Sequence, residues 1–494
     1  MAATSSPALS RKMGLLGLTA TGICSMVGAS IYVVPFMIQR NVPGIGPYVL
    51  TAFLFAAVPA SLAAFAYVIL ASAMPRAGGS YVYASRSLSP YLGFVASFSQ
   101  WFGLSIAIGV VSYVIVPFVR DILLLLKFTD LGLLLNSGWV RVTLAMVILW
   151  MFVYVNIRGV TLYERTLIPL MILMFGLGAV VIVIGLSFTQ KDFTEAVFTK
   201  EGRTILTSTA EFKWPTFLAG ASLLFSSFIG FDSIAQAGGE AKNPSRNLPR
   251  AIGLAIMIVT LFYFVFTFSL YHTVPWSFVA QEALTKDVTA PGLLGYLLPT
   301  GWAVLIIAGA AVALLNDLPA MILAVSRLLF SWAKDGIFPS QVSKVHAQFH
   351  TPHAAILLSG TMASIGILGS HFAGDFFLGI DIMVTSMLVN YLLMCLSVIV
   401  LPFTNPKIAK RITVFKSIKL QRVVAGLGVF CLGSFLWVHI SKDFSAPVGA
   451  WYFHSTPVWL IVMLIASSIF LFYWKRLKRM GVDTKTHFAN LPAE

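Results

Sequence analysis

Charge is scarce in this chain: of its 494 residues, 10% are Asp, Glu, Lys or Arg, against 58% that are hydrophobic. A water-soluble domain of this length needs a polar exterior, and there is too little polar material here to build one. Cysteine is nearly absent, and Cys24, Cys395 and Cys431 each lie inside an apolar run. A disulfide framework and a cysteine-rich metal site are both excluded as expectations. No Walker-type phosphate loop occurs, which argues against direct use of ATP and gives no cofactor fingerprint. There is no low-complexity tract and no soluble stretch long enough for a second domain. The first apolar run is too long, and lacks the small-residue pattern, for a removable signal peptide.

Uninterrupted apolar sequence is abundant. Met13–Met37, Pro47–Met74 and Tyr91–Val119 carry no charged side chain at all. About 20 such residues cross the hydrocarbon core as a helix. The runs are continuous rather than alternating, so they predict helices and not barrel strands. Further spans are expected at Val142–Val155, Leu167–Ser187, Trp214–Gly239, Ala251–Tyr271, Gly301–Ser326, Ala354–Gly369, Phe376–Leu401, Val423–Ile440 and Val458–Trp474. The fold class is therefore an all-α polytopic membrane protein of about twelve spans, with one short helix expected in the stretch 188–213.

The formal net charge of +15 could suit nucleic acid, but its distribution assigns it elsewhere. Most of the 33 Lys and Arg fall on alternate connections, the side that also holds both termini. The positive-inside bias then puts both termini in the cytoplasm of a cell (inner) membrane, with lipid and not nucleic acid as the partner. The densest basic connection runs from Lys407 to Arg422. It reads either as a topology anchor or as a site for anionic lipid.

Two spans contain small-residue interruptions, Gly28-Ala29-Ser30 in the first and Ser226-Ser227-Phe228-Ile229-Gly230 in the sixth. Glycine weakens a helix by about 1 kcal/mol relative to Ala, and Ser competes for backbone groups. A helix broken there bares N–H groups at one half-helix end and C=O groups at the other. Within a membrane those groups need a ligand, an ion or trapped water. Breaks in the first and sixth of twelve spans are what an inverted five-helix repeat would give, and they point to a midplane substrate site. Close helix packing is the other reading of the same residues.

The flanking residues resemble the amino acid–polyamine–organocation family of permeases. Gly28-Ala-Ser-Ile31 followed by Pro35 is similar to that family's first-helix motif. Phe228-Ile-Gly-Phe-Asp232 and Gly239-Glu240-Ala-Lys242-Asn243-Pro244 resemble its sixth helix and the loop behind it. Pro75-Arg-Ala-Gly78-Gly79-Ser-Tyr81 and Ser326-Arg327 with Lys334-Asp335-Gly336 resemble its other signatures. The resemblance implies two inverted five-helix repeats, at 13–187 and 214–401, joined by an outer loop at 188–213. It adds two extra helices within 402–474, with tails at 1–12 and 475–494. It implies a substrate carboxylate against Gly28, Ala29 and Ser30, with Ser25 one turn earlier. The amino group would meet carbonyls near Phe228, Ile229 and Gly230, with Phe228 as a candidate lid. The departures are Gly-Ala-Ser in place of the usual Gly-Ser/Thr-Gly, no Lys in the fifth helix and no acid in the third. They leave proton coupling by those groups open.

Ionisable residues at membrane depth are functional candidates by default. Asp232 could bind a cation or cap the second half of its helix. Glu240 reads as a gate ion-pair partner for Arg86 or Arg327. Asp317, beside Asn316, is the better of two candidate proton carriers, Asp381 being the other. His346, His350 and His353 have ligand spacing but sit in a loop interrupted by Pro352, so they read as a surface cluster and no metal site is expected.

The functional expectation is a secondary transporter of amino acids working by alternating access, as an ion-coupled symporter or an exchanger, with neutral or apolar cargo because the breaks carry no Arg or Lys and with H⁺ or Na⁺ as candidate coupling ion. A nutrient receptor on the same fold and a polyamine or organic-amine antiporter are the alternatives. A membrane-embedded enzyme would need a cluster of acid–base, nucleophilic or metal-binding residues that the sequence does not assemble.

Overall fold

The computed structural model describes residues 8–28, 30–205, 209–373 and 376–492. Within them lie twelve helices long and apolar enough to cross a membrane. In chain order they are α1 (Leu15–Asn41), α2 (Gly46–Ala73), α3 (Pro90–Leu125), α4 (Gly138–Ile157), α5 (Val160–Ser187) and α6 (Trp214–Gln236). Then follow α7 (Pro244–Thr273), α8 (Gly301–Lys334), α9 (His353–Phe372), α10 (Leu378–Thr404), α11 (Ile418–Ser445) and α12 (Ser455–Arg479). No strand occurs among the described residues; two isolated bridges, Met13 to Ala241 and Ala77 to Ala237, tie loops together.

Several helices outrun the expected apolar stretches. α3 continues through Arg120 and Asp121, and α5 begins seven residues before Leu167, carrying Glu164 and Arg165. Charged side chains at the ends of a span reach the interface without breaking it. Starts are set locally: Ser89 Oγ accepts the N–H of Leu92 ahead of Pro90, and Pro244 stands at the first helical position of α7, where its missing N–H costs nothing. The loop between α5 and α6 folds into one helix, Gln190–Glu201, opened by a reciprocal cap between Thr189 and Asp192. That backbone bond, with the Thr189 hydroxyl, holds the exposed Asp192 carboxyl below its ordinary range.

Two spans are interrupted. α1 is helical over Leu15–Met26 and again over Ser30–Asn41. α6 is α-helical only over Trp214–Leu224, tightens to a 3₁₀ turn at Phe225–Phe228, becomes extended at Ile229 and resumes over Ser233–Gln236. Gly230 has φ of +135°, a conformation open to glycine and strained for other residues. The two breaks lie side by side in the centre of the bundle: a β-carbon added to Gly230 would stand 2.2 Å from the carbonyl oxygen of Ser25.

Candidate functional site

A cavity of about 640 Å³ descends from the face opposite the termini and ends at the two breaks. Ser25, Met26 and Gly28 of α1, Ser226 and Ile229 of α6, and Asp317 of α8 meet at its inner end. Its walls are apolar, with Val110 and Val114 of α3 and Met321 of α8 among them. Arg40, Arg120, Asp121, Arg141 and Asp287 rim the mouth, where Arg40 pairs with Asp287 at 2.9 Å.

The structure brings only part of the expected set to this cavity. Ser25, Gly28 and Ile229 line it. Ser25 Oγ also lies 2.9 Å from Ser233 Oγ, joining the two broken helices. Phe228, the candidate lid, packs instead on Phe53 and Tyr263, with ring centroids 5.4 and 5.6 Å away. The 3₁₀ turn aims its ring away from the cavity, toward α2 and α7. Gly230 presents backbone to Ser25, where a side chain would collide. Ala29 lies outside the described residues, as does the side chain of Ser30.

Asp317 supplies the acidic side chain at the inner end. A β-carbon on Gly28 would be 2.7 Å from Asp317 Oδ2, so the carboxylate sits against the break of α1. Its Oδ1 is buried without a hydrogen-bond partner among the described residues. A desolvated carboxylate oxygen is costly to leave unmatched, and it is suited to a cation or a proton. Its neighbour Asn316 donates to Cys24 Sγ at 2.9 Å.

Asp232 occupies the cap position of the second α6 segment, but its carboxylate does not cap that helix. It accepts from Tyr391 at 2.5 Å and from Gln100 Nε2. Around it Gln236 donates to Ser80 at 2.7 Å, Asn390 to Tyr67 at 2.8 Å, and Tyr67 shares a 2.6 Å bond with Ser80. This buried network ties the α6 break to α2, α3, α10 and the short helix Gly79–Ser87 that follows α2. Gln100, Gln236, Asn390 and Tyr391 carry no charge at neutral pH and escape a search restricted to charged residues. The usable signal is that amides within a span need partners.

Below the network, the face carrying the termini is sealed by two buried ion pairs. Glu240 takes both prongs of Arg327, Nε to Oε2 at 3.0 Å and Nη2 to Oε1 at 2.6 Å. The other expected partner, Arg86, pairs with Asp335, which also accepts from Tyr81 at 2.6 Å. Burial pushes the Asp335 carboxyl up, but His487, the Arg86 guanidinium and the Tyr81 hydroxyl outweigh it and hold the group at about 2. His487 Nε2 stands 3.6 Å from Asp335 Oδ1, longer than a hydrogen bond, and contributes charge only when protonated. Over this pair lies the end of the chain. Arg86 Nε donates to Asn490 O at 3.0 Å, Arg76 Nε to Pro492 O at 3.2 Å, and Asn405 to Ala489 O at 3.0 Å. Phe488 is buried beneath Arg86. His346 takes the N–H groups of Gln348 and Phe349 and His350 faces Ala8 O, so both serve the α8–α9 connection.

Twelve spans, two adjacent broken helices, a cavity ending on their exposed backbone and a sealed opposite face define a membrane permease. The sequence matches the family described as amino acid permease over residues 13–466, and the chain belongs to that family. It is 24% identical to the methylthioribose transporter of Bacillus subtilis, across 74% of this chain and 77% of that one. It is 25% identical to the branched-chain amino acid permease BcaP of the same organism, across 75% and 77%. The low-affinity putrescine importer PlaP of Escherichia coli is 26% identical across 65% and 67%.

Proposed function

We propose that this permease is a secondary transporter that carries a neutral amino acid across a cell membrane by alternating access, with both termini cytoplasmic. The observation that carries the reading is the end of the cavity on two interrupted helices. The start of a half-helix carries N–H groups without an intrahelical acceptor and the positive end of a helix dipole, which suits a carboxylate without an arginine. That assigns the carboxylate to Gly28, Ala29 and Ser30, and the ammonium to Ser25 and the carbonyls around Ile229. Apolar walls at Val110, Val114 and Met321 favour aliphatic or aromatic side chains over acidic ones. The halves 13–187 and 214–401 would rock about this point. Asp317 would take the coupling H⁺ or Na⁺, while Asp232 fixes the floor and Glu240 the gate.

The test is uptake into proteoliposomes with pH, Na⁺ and internal-substrate gradients varied separately, read with a competition panel. Leucine or phenylalanine should displace label better than glutamate or aspartate. Best displacement by glutamate would overturn the substrate class. Binding with neither accumulation nor exchange would make the chain a receptor. One observation favours a second reading: the unmatched Asp317 oxygen could face a substrate ammonium, so an organic amine is the alternative cargo. Putrescine outcompeting every amino acid selects it.

A further inference from the structure

A second cavity, about 720 Å³ in volume, lies on the outer flank of the bundle between α2 and α7. Leu54, Phe65 and Val68 form one wall and Met257 and Leu261 the other; Met257 and Leu261 are 61% and 64% exposed. The lining runs from Leu54 to Val68 on α2, fifteen residues or fourteen helical steps, and from Pro249 to Phe264 on α7. At 1.5 Å per residue the groove is about 21 Å long. One leaflet of the hydrocarbon core is about 15 Å deep, so the groove accommodates a whole acyl chain.

The groove is not uniformly apolar. At the end nearest the termini it is closed by Arg250, and Arg246 lies one helical turn earlier on the same side of α7. Both are exposed, and neither side chain has a hydrogen bond or ion pair among the described residues. The basic connection after α10 folds over this end, with Val414 and Phe415 completing the lining and Lys416 following. Phe415 is held at φ of +50°, its carbonyl accepting from Gln421 at 2.8 Å, and its ring meets Phe65 at 4.9 Å. Strained backbone persists where its surroundings hold it in place.

We propose that this groove binds one anionic phospholipid, with an acyl chain between α2 and α7 and its phosphate at Arg246 and Arg250. The charge is complementary and unsatisfied, and the hydrophobic length matches. The groove also backs directly onto the transport site. Phe53 immediately precedes Leu54 of the groove wall on α2, and Tyr263 stands between Leu261 and Phe264 on α7. Both clasp Phe228 of the α6 break, and Tyr263 donates its hydroxyl to Met26 O at 2.5 Å. An occupied groove therefore braces the two helices that hold both breaks.

The experiment is native mass spectrometry of the full-length protein incubated with phosphatidylglycerol or phosphatidylcholine. Phosphatidylglycerol should be retained as a single adduct in preference to phosphatidylcholine. Replacing Arg246 and Arg250 by Gln should weaken retention about fivefold for each arginine. A matched removal at Lys475 and Arg476 should leave it unchanged. Gly253 lines the groove and a β-carbon there meets nothing within 4 Å, so Gly253→Leu should expel the lipid with the arginines intact. Equal retention of the two lipids, or full retention in the Gln variants or in Gly253→Leu, overturns the site. Hydrogen exchange at Met26–Gly28 and Phe228–Phe231 should slow when phosphatidylglycerol is added; unchanged exchange with lipid bound overturns the coupling to the breaks.

Discussion

Gly230 rests directly on the backbone of Ser25: with φ of +135° and no side chain, it lets the extended stretch of α6 touch the end of the first half of α1. Neither the conformation nor the 2.2 Å clearance admits a methyl group. Gly230→Ala should lower stability by at least about 2 kcal/mol through strain and collision. The expected result is a depressed melting temperature in detergent and lost uptake. A variant with wild-type melting would show that the two breaks do not touch.

Asp317 and Gly28 form a second tight pair, with only 2.7 Å between Asp317 Oδ2 and any β-carbon on Gly28. Gly28→Ala should therefore be destabilising, and Asp317→Ala in the same chain should restore most of the loss because it removes the colliding atoms. Asp317→Asn keeps the shape and removes the charge. If the carboxylate carries the coupling ion, uptake should become insensitive to the ion gradient while melting changes little. Preserved gradient dependence in Asp317→Asn would exclude that role.

Length, apolar continuity and basic bias made twelve spans legible, because lipid forces every backbone group in a span to be paired internally. The positions of the breaks were legible for the same reason: small residues at Gly28 and Gly230 are where a helix is most easily left. Side-chain direction was not. The family resemblance made Phe228 a candidate lid, whereas the 3₁₀ turn directs its ring onto Phe53 and Tyr263. The choice between Arg86 and Arg327 for Glu240 depended on how the loop after α2 docks on α8. There Gly78 leaves only 2.1 Å for a β-carbon beside Ser331 Oγ, a long-range contact no local pattern encodes.

The Glu240–Arg327 pair is the innermost ionic seal, with side chains 0% and 2% exposed. Glu240→Gln leaves a buried guanidinium without its counter-charge, at a cost of about 3–5 kcal/mol. Thermal melting should show that loss for Glu240→Gln. The double variant Glu240→Gln/Arg327→Met should be less damaged than the single one. Additive losses in this cycle would mean that the pair is not formed.

The Arg86–Asp335 pair makes a pH statement. The Asp335 carboxyl lies at about 2 in the folded protein against an ordinary 3.8, so its ionised form stabilises the fold. That contribution is complete above about pH 4 and fades as pH falls through about 2. The difference in melting temperature between wild type and Asp335→Asn should stay constant from pH 8 to about 4.5. A difference that already shrinks well above pH 4.5 would show that the Asp335 carboxylate is not what stabilises the fold there.

The seating of residues 484–492 over Arg86 and Asp335 makes the last turn of the chain a reporter. Any rearrangement that admits water from that side has to peel Phe488 out from under Arg86. With Cys24 and Cys395 buried and Cys431 half-covered, a thiol dye introduced through Asn490→Cys would label selectively. Its emission would then follow each transport cycle without touching the substrate path.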